Sequence, residues 1–214
     1  GAVAGKLASL YEQAELPAEA AKHLLAAATR ALQLSARSDA IDMLHHALGL
    51  LRACPRPLER DRLELALQME IGIPLLQTAG WGAAAHLKAY ERAREIAREL
   101  GDIPQLLTSS AVLASLYIAL GSMSKAAVLT EEVQQLAKEN PSRQHRALAL
   151  SVLAEDLFMS GKVPEADAAL AQAIEANDTE LPIHSFRVSL VDVNAQTMAW
   201  RAWTQWALAR DRSA

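Results

Sequence analysis

Hydrophobic and polar positions follow the period of an α-helix along almost the whole chain. Apolar residues recur three and four positions apart, and no stretch shows the strict alternation that is typical of a strand. Short segments containing Gly, Pro, Ser or Asn interrupt this pattern. The predicted helices cover residues 2–15, 17–34, 39–53, 57–78, 83–100, 104–120, 123–139, 142–160, 164–176 and 185–210. The pattern therefore predicts an all-α protein of about ten helices.

Several boundaries of these helices carry a chemical signal. Gly121 and Gly161 follow helices six and eight and can take the left-handed backbone conformation that ends a helix. Pro74 lies inside helix four and has no N–H for the carbonyl of Glu70. We therefore expect helix four to kink or break near Gly72.

One arrangement of large and small residues occurs more than once. The stretch SLYIALGSMSKAAVLTEEV, residues 115–133, places Tyr117 before a Gly turn and Ala126 after it. Related positions are Leu157, Gly161 and Ala166, then Tyr90 and Ala93, Leu44 and Ala47, and Tyr11 and Ala20. Small residues where two helices cross let the backbones approach to about 8–10 Å, so the pattern predicts packed helix pairs.

This pattern resembles the tetratricopeptide repeat, a helix-turn-helix unit. The best matches are Leu113, Ala114, Tyr117, Gly121, Ala126 and Val133, followed by Leu153, Ala154, Leu157, Gly161, Ala166, Leu170 and Ala173. The resemblance implies a right-handed α-α superhelix. The chain departs from the family in its period, about 40 residues instead of 34, and in having Ser110 and Leu150 where the family has Trp.

The repeats predict one domain over residues 1–214. Its approximate units are 1–36, 37–56, 57–101, 102–140, 141–177 and a degenerate or truncated 178–214. Because the signature occurs at both Ala20 and Ala40, the first three helices cannot be paired uniquely. The first residue is Gly, and the last predicted helix runs nearly to the final residue, so we expect a fragment of a larger multidomain protein.

The amino-acid composition disfavours several classes of function. The chain is 51% hydrophobic and 21% charged, which suits a folded core, and its net charge of −4 disfavours direct nucleic-acid binding. Cys54 is the only cysteine, so we expect no internal disulfide and a reducing, cytoplasmic location. No apolar run reaches about 18 residues, so we expect no membrane span.

The sequence offers little catalytic or metal-binding chemistry. His45 and His46 follow Asp42 by about one helical turn, but adjacent histidines on a helix point about 100° apart. The Asp and Glu residues are explained by the solvent-exposed faces of the predicted helices. We therefore predict a non-enzymatic domain without a metal or another cofactor.

The family resemblance places a binding groove on the first helix of each pair. Its positions here would be Gln68, Ile71, Leu75, Thr108, Ala111, Ser115, Ile118, Leu148, Ser151, Glu155, Phe158 and Met159. This mostly apolar and hydroxylated set suits an amphipathic helix or an apolar segment of a partner. Alternatively, some of these side chains pack on the next helix pair.

The last predicted helix carries Trp200, Trp203 and Trp206. At this spacing the three rings span an arc of about 120° on the helix. They either pack against the preceding pair or form an interface, which includes self-association as an option.

Two longer stretches, residues 23–51 and 63–102, are similar to the helical array that follows a nucleotide-binding ATPase module in large bacterial signalling proteins. Those proteins carry a winged-helix or maltose-activator-type DNA-binding domain, or a nucleotide cyclase. The resemblance implies a regulatory scaffold that contacts its own ATPase domain or another protein. The alternatives are a sensor of a small inducer and the regulatory array of a cyclase.

Overall fold

The structure, a computed structural model, describes residues 2–52, 54–55, 58–80, 84–176 and 193–211. Its helices are α1 (Ala2–Gln13), α2 (Pro17–Gln33), α3 (Arg37–Arg52), α4 (Leu58–Ala79), α5 (Ala84–Leu100), α6 (Ile103–Ala119), α7 (Met123–Glu139), α8 (Arg143–Met159), α9 (Val163–Ala176) and α10 (Val193–Asp211). Every regular element within these ranges is an α-helix, so the predicted all-α fold is confirmed. The first part of the predicted last helix, residues 185–192, lies outside the described residues.

The chain divides into two compact units. Unit 1, Gly1–Asp102, contains α1 to α5, and unit 2, Ile103–Ala214, contains α6 to α10. Within each unit, every helix packs against the next one in the chain. Contacts also join next-but-one helices, namely α2 with α4, α6 with α8, and α8 with α10. Such a row of helices is the arrangement of an α-solenoid.

Small residues occupy the helix crossings, as the repeat pattern predicted. Ala20, Ala40, Ala93, Ala126 and Ala166 are all completely buried. The larger residues predicted beside them are also mostly in the core: Leu44, Tyr90, Leu113, Tyr117, Val133 and Leu170. Tyr11, Leu153 and Leu157 are half-buried. The repeated pattern is therefore a rule for packing helices closely.

Among the described residues, a left-handed residue follows each of six helices. Gly121 has φ 70° and Gly161 has φ 79°, as predicted. After Gly121, the amide of Ser122 donates to the carbonyl of Tyr117 at 2.8 Å, which closes the last turn of α6. Gly80 and Gly101 also have positive φ, but the left-handed residues after α1 and α2 are Glu15 and Ser35, with φ 55° and 60°.

Helix α4 continues through Pro74 to Ala79, so the predicted break is absent. Burial of Ile71, Leu75 and Leu76 around the proline explains this. Each such side chain contributes about 1.5–3 kcal/mol, which together outweighs the roughly 3 kcal/mol cost of an internal proline. Gly72 has a different role, because a Cβ there would overlap the ring of Tyr90 on α5.

Candidate functional site

The predicted groove residues differ greatly in exposure. Ile71, Leu75, Ala111, Ile118, Leu148, Ser151 and Glu155 are buried. Gln68, Thr108, Ser115 and Phe158 are half-buried, and Met159 is 50% exposed. Ile71 and Leu75 belong to the hydrophobic core of unit 1. A binding role for the set stays a prediction, and most of its members already pack against neighbouring helices.

Three of the predicted residues meet in a polar seam within unit 2. The seam consists of Ser115 on α6, Ser151 and Glu155 on α8, and Gln196 and Thr197 on α10. The amide of Gln196 donates to Glu155 Oε1 at 2.9 Å, and the hydroxyls of Ser151 and Thr197 lie 2.8 Å apart. Ser115 also forms a hydrogen bond with the Glu155 carboxylate. The polar seam therefore joins α6, α8 and α10 through buried hydrogen bonds.

Glu155 is the one titratable member of this seam. Its residue is 3% exposed, and burial raises the pKa of its carboxyl to about 7. Hydrogen bonds from Ser115, Gln196 and Trp200 favour the ionised form and offset part of the burial effect. Since these partners come from neighbouring helices, the carboxyl contributes to helix packing, and its protonation state changes near neutral pH.

Most of the polar α10 side chains that the structure describes face the interior of unit 2, whereas Gln205 is exposed. Besides the seam residues Gln196 and Thr197, Arg201 lies 3.6 Å from Asp167 of α9. The hydroxyl of Thr204 donates to the same carboxylate at 3.1 Å. Thr197 and Thr204 are completely buried. The contacts of α10 with α8 and α9 therefore include hydrogen bonds and an ion pair.

The opposite face of α10 is apolar and exposed. We call it the outer face and define it as Ala195, Met198, Ala199, Ala202, Trp203 and Trp206. Met198 is 57% exposed, Trp203 58% and Trp206 61%. A helix normally buries its apolar stripe and exposes its polar one. In α10 this arrangement is inverted.

The tryptophans of α10 have different environments. Trp200 is half-buried and packs edge-on against Phe158 of α8, with ring centroids 5.4 Å apart. Trp203 stacks edge-on against Trp200 at 5.1 Å but is itself mostly exposed. Trp200 therefore packs on the preceding pair, as one alternative predicted, whereas Trp203 and Trp206 face solvent and an interface role for them stays a prediction.

A cavity of about 620 Å³ opens between the end of α7 and the start of α8. It is lined by Gln134, Ala137, Lys138, Pro141, Ser142, Arg143, Arg146, Ala149 and Leu150. Three of these residues are cationic and none is acidic, so the cavity favours an anion. The groove prediction did not include this place, because the cavity lies between α7 and α8 and its α8 residues are not at the carried-over groove positions.

Other candidate chemistry is sparse in the described residues. His46 Nε2 lies 3.1 Å from a carboxylate oxygen of Glu12, and both His45 and His46 are exposed. Within the described ranges, no three His, Cys, Asp or Glu residues are arranged to hold a metal ion. None of the helices described is both long and apolar enough to cross a membrane.

Comparison with known proteins gives no family assignment. No protein-family model matches the chain, and no similar protein was found among the curated ones.

Proposed function

We propose that the chain is a non-catalytic, protein-binding helical array of the tetratricopeptide type. The inverted polarity of α10 is the observation that carries this proposal. Two exposed tryptophans and an exposed methionine on one helix face form the kind of surface at which protein partners bind. The solenoid-like packing of each unit supports the proposal, because such arrays use extended surfaces for recognition.

The similarity of residues 23–51 and 63–102 to regulatory arrays extends this proposal. In this extension, the array belongs to a cytoplasmic bacterial signalling protein, namely a transcriptional regulator with an ATPase module. Its partner is the ATPase module of the same protein or a second protein. Mixing the array with that ATPase module and measuring the ATPase rate tests this extension, and we expect the array to lower the rate.

A selection experiment tests the general function. A displayed library of peptides of about 20 residues is selected against the immobilised whole chain, and the affinity of each selected peptide is measured by fluorescence anisotropy. We expect peptides with dissociation constants below about 100 μM. A library that yields no such peptide would contradict a protein-binding function.

The basic cavity favours a second candidate function, the sensing of a small anionic ligand. Lys138, Arg143 and Arg146 surround enough space for a metabolite-sized molecule. Inorganic phosphate, pyrophosphate and citrate are suitable probes in a thermal-shift assay. This function predicts a rise in melting temperature that Arg146→Gln reduces and the exposed control Lys162→Gln does not. Equal shifts in both variants would exclude this cavity as the anion site.

A further inference from the structure

The outer face of α10 has a counterpart elsewhere in unit 2. On α8, the residues Leu150, Ala154 and Leu157 are spaced by four and three positions. On α10, Ala195, Ala199 and Ala202 have the same spacing. The α8 set lies in a hydrophobic core cluster, whereas the α10 set is exposed.

Helix α9 shows which kind of structure covers such a face. Leu150, Ala154 and Leu157 of α8 pack in one cluster with Ala166, Ala169 and Leu170 of α9. Ala154 and Ala166 are essentially completely buried. Small side chains on both helices let the two backbones approach closely. A face with this spacing therefore fits an α-helix whose own stripe also contains small residues.

Helices α8 and α10 also differ in how many other helices they contact. Helix α8 packs against α6, α7, α9 and α10, whereas α10 packs against α8 and α9 in the part of the chain that the structure describes. The outer face of α10 thus lies where the next helix of the row would pack. The side chains of this face are uncharged, so the matching surface on the partner is apolar and uncharged as well.

We propose that the outer face of α10 binds a single amphipathic α-helix of a protein partner, with small residues opposite Ala199 and Ala202. The bound helix takes the place beside α10 that α9 takes beside α8. Trp203 and Trp206 pack along one edge of the bound helix and supply much of the apolar contact, as large aromatic anchors do in helix-in-groove recognition. This inference rests on the proposed protein-binding function and specifies its site and its partner.

The peptides selected against the whole chain provide the probe. Each is compared with a version that carries a central proline, which prevents a helix. The chain is tested as Ala202→Arg, which places a long charged side chain at the helix crossing. Ala127→Arg on the exposed face of α7 is the matched control. Because both positions are exposed, both variants are expected to fold, and their circular dichroism and melting temperatures check this.

We expect selected peptides to bind as helices. Ala202→Arg should weaken binding at least about tenfold, Ala127→Arg less than about twofold, and the proline versions should not bind. Light scattering should show the same oligomeric state for the parent chain and for Ala202→Arg, because we expect no dimer that forms through the outer face.

Three results would overturn the inference. Peptides that bind the Ala202→Arg chain unchanged would place the site elsewhere while leaving the protein-binding function intact. A dimer lost in Ala202→Arg would show that a second copy covers the outer face. A selection without any binding peptide would remove the proposed function itself.

Discussion

Replacing Glu155 with Gln should change the stability of unit 2 in a pH-dependent manner. The carboxyl lies among Ser115, Gln196 and Trp200, and burial raises its pKa from 4.5 to about 7. A folded-state pKa above the unfolded one means that the folded protein binds more protons between these two values. Its stability therefore falls as pH rises from about 4.5 through about 7.

The expected change in the free energy of unfolding follows from the size of the Glu155 pKa shift. At about 1.4 kcal/mol per pKa unit, ionising Glu155 in the folded state costs about 3 kcal/mol. Gln resembles the protonated acid because it has one carbonyl oxygen that accepts and an amino group that donates, but it cannot ionise. We therefore expect Glu155→Gln to raise the free energy of unfolding by about 3 kcal/mol at pH 8 and to change it little near pH 4.5.

Urea denaturation followed by tryptophan fluorescence suits this test, because three of the four tryptophans lie in α10. The difference between variant and parent must be measured at each pH. Buried His86 in unit 1 has a pKa lowered by burial to about 4, so its effect on stability has the opposite sign between about 4 and 6.5. Subtracting the two curves cancels that contribution.

Glu131→Gln is the matched control, since Glu131 is an exposed carboxylate on α7. It should change the free energy of unfolding by less than about 0.5 kcal/mol at any pH. If Glu155→Gln destabilised the protein equally at pH 4.5 and pH 8, the carboxylate would be ionised and favourable in the fold. That result would refute the reasoning from burial.

Three further substitutions test the packing and the turns. Ser35→Gly should raise the free energy of unfolding by about 0.5–1 kcal/mol, since Ser35 has φ 60°. Chemical denaturation measures this change. An unchanged free energy of unfolding would show that the backbone of Ser35 is not strained. Gly72→Ala should lower it by about 1–3 kcal/mol because the new Cβ meets the Tyr90 ring. In contrast, Gly49→Ala on open α3 should raise it by up to about 1 kcal/mol; equal effects of the two Ala variants would rule out the clash. Gly121→Val should lower the melting temperature, with a cost of about 1 kcal/mol or more, because Gly121 has φ 70°.

The helices and their close packing could be predicted from the sequence because both depend on local rules. The apolar period sets the helices, and small residues such as Ala126 and Ala166 mark the crossings. The left-handed Glu15 and Ser35 were not predicted, because the turn signal that the sequence provides is Gly. The predicted break near Gly72 was wrong because buried contacts along α4 outweigh the hydrogen bond that Pro74 cannot donate, and the alternative of a kink stays a prediction.

The site was harder to predict than the fold. Ser151 and Glu155 were placed in a groove because a single sequence does not reveal which helix lies beside α8. Their partners Gln196 and Thr197 are polar residues on a helix that is otherwise rich in Ala and Trp. A usual amphipathic pattern would place such residues toward solvent. Only the contacts between helices show that α10 has the inverted orientation.

Oxidative footprinting with mass spectrometry tests the central claim most directly. Met198 on the outer face and Met159 on the predicted groove are 57% and 50% exposed, so they form a matched pair of probes. Hydroxyl radicals should oxidise both methionines in the chain alone. With the tightest selected peptide bound, we expect oxidation of Met198, Trp203 and Trp206 to slow while that of Met159 is unchanged. Protection of Met159 with unchanged Met198 would contradict the account, because the partner would then bind the groove and not the outer face of α10.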